Sequence, residues 1–364
     1  MAGYALVSEK KDTKEKYDKA PMTAGPYKIK DFKSGKSMTL VKNDNWDPKT
    51  DPIRHQYVDS IIFEMGVDGD AQTNRLIAAN GDDKTAIMET NVSPSMISTV
   101  KGNADVMKRV DASSTPFVTY LWINTTRVTD VDVRRALNYA HNRDAYIKAV
   151  GGYDVAVPAT TIMAPIVPGY KQFDIYKPTN GGNEGDVEKA KELLKGKTVP
   201  KLKYCFANTP TNQTVHATIQ ANLKRAGFDF VSNPLDPANY FDITGRKDTD
   251  CDIMSSGWGQ DWPDGESTLG VLMDGSKIVA EGNNNYAYFT DAGVVAELKR
   301  LREATDRGAV AADYGNLDEK IMRDFAPVVP LRYLRNFSIL GPGVGNAPMS
   351  PLFAHFDLSG VYVK

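Results

Sequence analysis

The chain has 364 residues, 41% of them hydrophobic and 25% charged, with a formal charge of −2 and a pI near 6.1. This length and apolar content suffice for two or three domains with real cores. The near-balanced charge lacks the basic footprint of a nucleic-acid binder, and no run of about 18 apolar residues reads as a membrane span. The opening residues, MAGYALVSEKKDTKEKYDK, lack the apolar stretch and small-residue cleavage site of a signal peptide. Either the protein is cytoplasmic, or the numbering begins after a targeting segment.

Ala24-Gly25-Pro26 reads as a turn feeding an alternating strand over 27–32, and Lys33 to Lys36 as the turn into a second strand over 37–42. Together they predict a hairpin. A polar loop over 43–52 precedes a strong strand over 58–65. The spacing then predicts a helix over 70–80 with Asp70 as its N-cap, and another over 93–100 capped by Ser93. Strands are predicted over 107–110 and 117–123, so this first third is mixed α+β.

Helical periodicity takes over at 130–142 and 143–150, with Val133, Ala136, Leu137, Ala140 and Ile147 on one face. Gly151-Gly152 ends that pair. An irregular proline-rich passage over 158–185 leads to an amphipathic helix over 186–194. Next comes an α/β alternation: strand 201–206, helix 211–226, strand 228–231, helix 237–244 and strand 250–255. At this spacing the pattern predicts parallel crossovers and a doubly wound sheet. Helices over 292–306 and 317–325 follow, and the strands over 328–340 and 361–364 are expected to return to the first lobe. Lobe one is therefore placed at 1–125 plus 333–364 and lobe two at 126–332.

The third strand of that alternation opens the stretch CDIMSSGWGQDWPDGESTL, residues 251–269. Its apolar run is expected to stop at Ser255-Ser256-Gly257 and spill into a loop bearing Trp258, Asp261, Trp262 and Asp264. Loops at the carboxyl ends of strands in an open α/β sheet are where ligands sit.

Cys205 and Cys251 show no zinc-ligand or CxxC spacing. A disulfide is possible if their strands are neighbours, and two buried thiols is the reading adopted here. His55, His141, His216 and His355 are scattered without a second ligand at helical spacing and are assigned structural roles. No metal site and no cofactor are expected. No GxSxG elbow, HExxH helix or cysteine–histidine pair is present. Gly341-Pro342-Gly343-Val344-Gly345 is read as a loop, because Pro342 interrupts the pattern and no helix follows.

Several segments resemble the extracytoplasmic solute-binding proteins of peptide (dipeptide/oligopeptide) ABC transporters. Gly25-Pro26-Tyr27 and Val58-Asp59-Ser60-Ile61-Ile62-Phe63 resemble that family's hairpin and following strand. Residues 132–144, DVRRALNYAHNRD, resemble its internal helical segment. Ser256-Gly257-Trp258-Gly259-Gln260-Asp261-Trp262-Pro263-Asp264 resembles its ligand-binding loop, and Ala326 to Leu331 its C-terminal segment.

The resemblance implies an α/β, two-lobe periplasmic-binding-protein-like fold of type II, with a mixed α+β first lobe and a doubly wound second lobe. It also implies peptide binding in a cleft that closes by hinge motion. Asp261 would pair with the peptide's ammonium group, Trp258 and Gly257 would form neighbouring wall, and Trp262 would add apolar surface. Implied partners are a small peptide and ABC transporter permease subunits, with the protein itself a monomer. The implied location is extracytoplasmic, periplasmic or lipid-anchored. Family members usually begin well upstream, so the chain is expected to be a fragment lacking the N-terminal part of lobe one. Residues 264–269, DGESTL, stand where relatives more often carry Asp-Pro and then Asn-Phe. Alternatives are binding of a nickel complex, haem or an oligosaccharide on the same fold, or an α/β hydrolase using Asp261 and Asp264 as acid and base.

Overall fold

Residues 8–14, 17, 21–199 and 201–364 are described by a computed structural model. The chain divides into two compact units. The first comprises the residues up to Ser113 together with Asn336–Ser350 and Ala354–Lys364, and the second comprises Ser114–Arg335 with Pro351–Phe353. The divisions therefore fall about a strand earlier, and a few residues later, than the expected 125/126 and 332/333. Pairing explains the first shift: the strand running up to Ile123 hydrogen-bonds wholly within the second unit.

In the first unit, β1 (Tyr27–Lys33) and β2 (Ser37–Lys42) form the expected hairpin, and β3 (Ser60–Glu64) adds antiparallel to β2. Asn43 holds the loop after β2 by donating to the carbonyls of Thr23 and Gly25. Helix α1 (Gly69–Ala78) is capped by Asp68, not Asp70. Helix α2 (Ile97–Lys101) starts four residues after the expected cap, Ser93, and has no side-chain cap. Both departures have one cause. The Asp70 carboxylate accepts from the Ser93 and Ser95 hydroxyls, so two residues suited to capping satisfy each other across the unit instead. Helix α3 (Ala104–Met107) and the short strand β4 (Val110–Asp111) complete this passage.

The second unit opens with β5 (Ser114–Ile123), mostly buried along its ten residues. Helices α4 (Val131–Ala140) and α5 (Arg143–Ala149) follow, capped by the side chains of Asp130 and Asn142. Helix α4 buries the predicted Val133, Ala136, Leu137 and Ala140. It also buries Arg134, whose guanidinium is satisfied by the carbonyls of Val128, Thr129 and Phe325. Next come β6 (Ala156–Pro158), α6 (Val187–Leu194), β7 (Leu202–Ala207), α7 (Pro210–Lys224), β8 (Phe230–Leu235), the short α8 (Tyr240–Thr244) and β9 (Ile253–Trp258). After α9 (Leu269–Leu272) and α10 (Ala292–Glu303) comes α11 (Arg307–Asp324), far longer than the predicted 317–325. Glycines mask its N-terminal half in the sequence. Gly315 lies where a Cβ would stand 2.4 Å from the Gly169 carbonyl, so the proline-rich passage can pack directly on the helix.

Strand β10 (Val328–Arg335) closes the main sheet, whose order is β6-β10-β5-β9-β7-β8. Only β8, β7 and β9 are mutually parallel. The β5–β9, β10–β5 and β10–β6 pairs are antiparallel. The expected doubly wound parallel sheet is thus a three-stranded parallel half extended by three antiparallel strands. The helices between β7, β8 and β9 let the alternation be read, but the direction of β5, β6 and β10 depends on partners distant in sequence. One face of this sheet buries Tyr120, Trp122, Met254, Leu298 and Ile321 in a continuous core. The chain then returns to the first unit, where β11 (Ser338–Ile339) pairs with β4, and β12 (Val344–Gly345) with β13 (Tyr362–Val363).

Cys205 and Cys251 form a disulfide with their Cα atoms 5.8 Å apart, which corrects the reading of two free thiols. Cys205 lies in β7 and Cys251 just before β9, and these adjacent parallel strands share only two register pairs. Adjacency of that kind is invisible to local sequence.

Candidate functional site

The parallel strands run in the order β8-β7-β9, so the sheet's winding reverses between β7 and β9. Loops leaving the carboxyl ends of strands at such a reversal form a natural crevice. The expected break at Ser255 does not occur. Strand β9 continues through Ser255↔Leu121, Ser256↔Tyr120 and Gly257↔Thr119 to Trp258↔Val118. Two serines and a glycine look like a turn locally, yet pairing with β5 carries them as strand. Gly257 and Trp258 are therefore strand residues, and the loop begins at Gly259.

Trp258 is half-buried against the core, and its indole N–H donates to the Ser267 carbonyl at 2.8 Å. The buried Ser267 hydroxyl donates back to the carbonyls of Trp262 and Asp264, each at 2.8 Å. Asp264 caps the turn after it by accepting from the Glu266 N–H at 2.8 Å. It also takes a two-pronged ion pair from Arg307 at the start of α11, through Nε at 2.9 Å and Nη2 at 2.6 Å. This side-by-side fork is the strong arrangement of the pair, and it raises the Arg307 pKa. Glu266, also buried, faces Lys277 Nζ and Arg302 Nη1, each at 3.1 Å, and the Tyr314 hydroxyl at 3.4 Å. The 259–267 loop is thus folded on itself and riveted to α10 and α11.

Asp261 differs from these carboxylates. It is exposed, has no hydrogen-bond or ion-pair partner among the described residues, and has its pKa raised by partial desolvation with no cation to offset it. Trp262 beside it presents an indole that is 39% exposed. The preceding Gln260 is buried, with its Oε1 unpartnered. Gly259 passes under the Phe117 ring, where a Cβ would come within 2.4 Å of Cε1. The structure thus brings Gly257, Asp261 and Trp262 together around the end of β9 and turns the Trp258 indole towards the core. Asp264 is spent on structure, which removes it as the catalytic partner of Asp261. Arg307, Glu266 and Arg302 escaped the sequence reading because nothing local links them to the loop they hold.

The histidines lie elsewhere. Burial, then the nearby Arg143, pushes the His141 pKa down to about 3, so it is neutral. His216 stacks on Phe206 with ring centroids 4.2 Å apart. Among the described residues no group of three or more histidine, cysteine or carboxylate side chains could hold a metal ion, and no helix is long and apolar enough to cross a membrane.

Residues 1–279 match the model of the bacterial extracellular solute-binding proteins, family 5. The chain belongs to this family. Among relatives, this family 5 chain is 23% identical to the "Probable di/tripeptide-binding protein 5" of Pseudomonas aeruginosa over 376 aligned residues, covering all of this chain and 66% of that protein. It is 25% identical to the "Heme-binding protein A" of Haemophilus influenzae, covering 100% of this chain and 63% of that protein. Among solved structures, the "Clavulanic acid biosynthesis oligopeptide binding protein 2" superposes with a TM-score of 0.89 at 24% identity, over 99% of this chain and 66% of that one. The two-lobe α/β solute-binding fold is thereby shown. The chain spans about two thirds of the length of these relatives.

Proposed function

We propose that this family 5 protein binds short peptides, with Asp261 holding the ligand's α-ammonium group, and delivers them as a monomer to the permease of an ABC transporter. The observation that carries the reading is Asp261 itself. It is a carboxylate left unpaired, with its pKa raised by desolvation, at the end of β9, while every other acid in its loop is engaged. An ammonium group entering there would gain a charge-assisted bond and offset the cost of that desolvation. Gly257 and the exposed Trp262 indole supply backbone and apolar wall beside it. The relative named for di- and tripeptides supports the ligand class. The riveted loop suits a binding module, since it fixes the anchor and leaves no second free carboxylate for acid–base work. The buried disulfide fits an oxidising, extracytoplasmic location.

Native mass spectrometry followed by calorimetric titration with di- to pentapeptides tests the reading. Free peptides should bind, N-acetylated ones should bind roughly 10- to 100-fold more weakly, and Asp261→Asn should weaken free peptides by a similar factor. Equal affinity for acetylated and free peptides, or no effect of Asp261→Asn, would remove Asp261 from the anchor role.

A further inference from the structure

Three carboxylates and three cations pair behind the loop that carries Asp261. Asp264 and Glu266 belong to the loop and Asp274 follows it, with side chains 15%, 9% and 0% exposed. Of the cations, Lys277 ends the short turn Gly275–Lys277, Arg302 lies in the last turn of α10, and Arg307 opens α11. Arg302 Nη1 donates to Glu266 at 3.1 Å and to Asp274 at 3.0 Å, and Lys277 Nζ donates to Glu266 at 3.1 Å. The charges balance, so no acid of the cluster is buried without a cation.

Tyr314 joins the two halves of this cluster. Its hydroxyl is on a residue only 1% exposed, accepts from Arg307 Nη2 at 2.9 Å and donates to Glu266 Oε2 at 3.4 Å. One path of polar contacts therefore runs from Asp264 through Arg307, Tyr314, Glu266 and Arg302 to Asp274. The Tyr314 ring also lies against Gly265, where a Cβ would stand 2.4 Å from Cγ.

Packing holds this side of the loop only in part. A cavity of about 220 Å³ opens beside the Arg307–Asp264 fork, lined by Pro168, Pro263, Gly265, Gly308, Ala311 and Tyr314. Pro263 to Gly265 face that space, so polar contacts carry more of their placement than apolar ones do. Behind them the Ser267 hydroxyl ties the Trp262 and Asp264 carbonyls together, so a shift of Asp264 is passed to the residue next to Asp261.

We propose that Arg307 and Tyr314 are positioning residues for peptide binding, which act through Asp264 and Ser267 to fix where the Asp261 carboxylate stands. The inference rests on the peptide reading above. Asp261 has no partner of its own among the described residues, so its backbone alone directs it. A charge-assisted hydrogen bond weakens steeply with misalignment. Loosening the loop by about 1 Å is therefore enough to erase much of the advantage of an ammonium over an uncharged terminus.

The test is calorimetric titration of the native chain and its variants with Ala-Xaa-Ala tripeptides, free and N-acetylated. The quantity read is the ratio of the two affinities. Tyr314→Phe keeps the ring against Gly265 and removes only the hydroxyl. It should weaken free peptides roughly 2- to 10-fold and leave acetylated ones unchanged, so the ratio falls. Arg307→Lys keeps the charge but loses the fork and should also lower the ratio, with Arg307→Met lowering it further. Tyr314→Phe decides if the Arg307 variants fail to fold. Added to Asp261→Asn, it should cause no further loss for free peptides, because both changes act on one contact. A merely structural role would lower the melting temperature and weaken both peptide forms equally. An unchanged ratio in folded Tyr314→Phe would overturn the positioning role and leave the peptide reading standing, as would additive losses in the double variant. A native chain that binds free and acetylated peptides alike would overturn the Asp261 anchor and this inference together.

Discussion

Replacing Cys205 and Cys251 together with alanine should lower the melting temperature of the protein by roughly 10 °C. The bond joins residues 46 apart in sequence, and closing a loop of that length in the unfolded chain is worth about 4 kcal/mol in the chain-entropy treatment. For a cooperative unit of about 150–250 residues, each kcal/mol moves the midpoint by about 2–4 °C. Both cysteines are fully buried in the core that contains Tyr120, Trp122 and Met254, so the lost sulfurs add a small packing penalty in the same direction. The position of the bond adds to its effect. Strands β7 and β9 share only two register pairs, Tyr204↔Ile253 and Cys205↔Met254, and the bond ties them where β9 sets out towards the Asp261 loop. Thermal unfolding of the oxidised native chain and of the double variant, followed by circular dichroism at one pH, measures the shift. Two reactive thiols per chain in protein unfolded without reductant would refute the premise. A shift below about 2 °C with the bond intact in the native chain would refute the loop-entropy reasoning.

Asp318, fully buried on α11, accepts the backbone N–H groups of Ile162 and Met163, and burial raises its pKa to about 7. The folded protein therefore keeps this proton between about pH 4 and 7 while the unfolded chain releases it, so this group makes stability fall as pH rises through that window. The loss is complete above pH 7 and reaches at most on the order of 4 kcal/mol. Urea midpoints at pH 5 and pH 8 should therefore differ less in Asp318→Asn than in the native chain, and identical pH slopes would sink the assignment. Gly259→Ala forces the Phe117 ring or the loop backbone aside, because a Cβ there lies 2.4 Å from the ring. It should cost about 1–3 kcal/mol of stability in denaturant titration and weaken peptide binding through the displaced Asp261. Unchanged stability and affinity would show that the ring moves freely.

The local pattern was sufficient wherever near neighbours decide the outcome. Alternation from Tyr27 to Lys42 specified a hairpin, because a period of two has only one way to bury a face. The 3.6-residue spacing of Val133, Ala136, Leu137 and Ala140 specified α4, although Asp130, read as its first residue, is its cap. The segments at 25–27, 58–63, 132–144, 256–264 and 326–331 together were enough to suggest the family, and the fourth of them singled out an aspartate.

Tertiary structure decided what depends on partners far along the chain. Ser255, Ser256 and Gly257 are strand because β5 pairs with them, which outweighs their turn-forming tendency. Asp70 and Ser93 are not caps because they meet each other. Asp261 and Asp264 look equivalent as text. The second is neutralised by Arg307, 43 residues away, and the first has no such partner among the described residues. Composition and spacing carry short-range preferences of a fraction of a kcal/mol per residue, whereas charge pairing, strand direction and disulfide bonding depend on which distant residues the fold brings together.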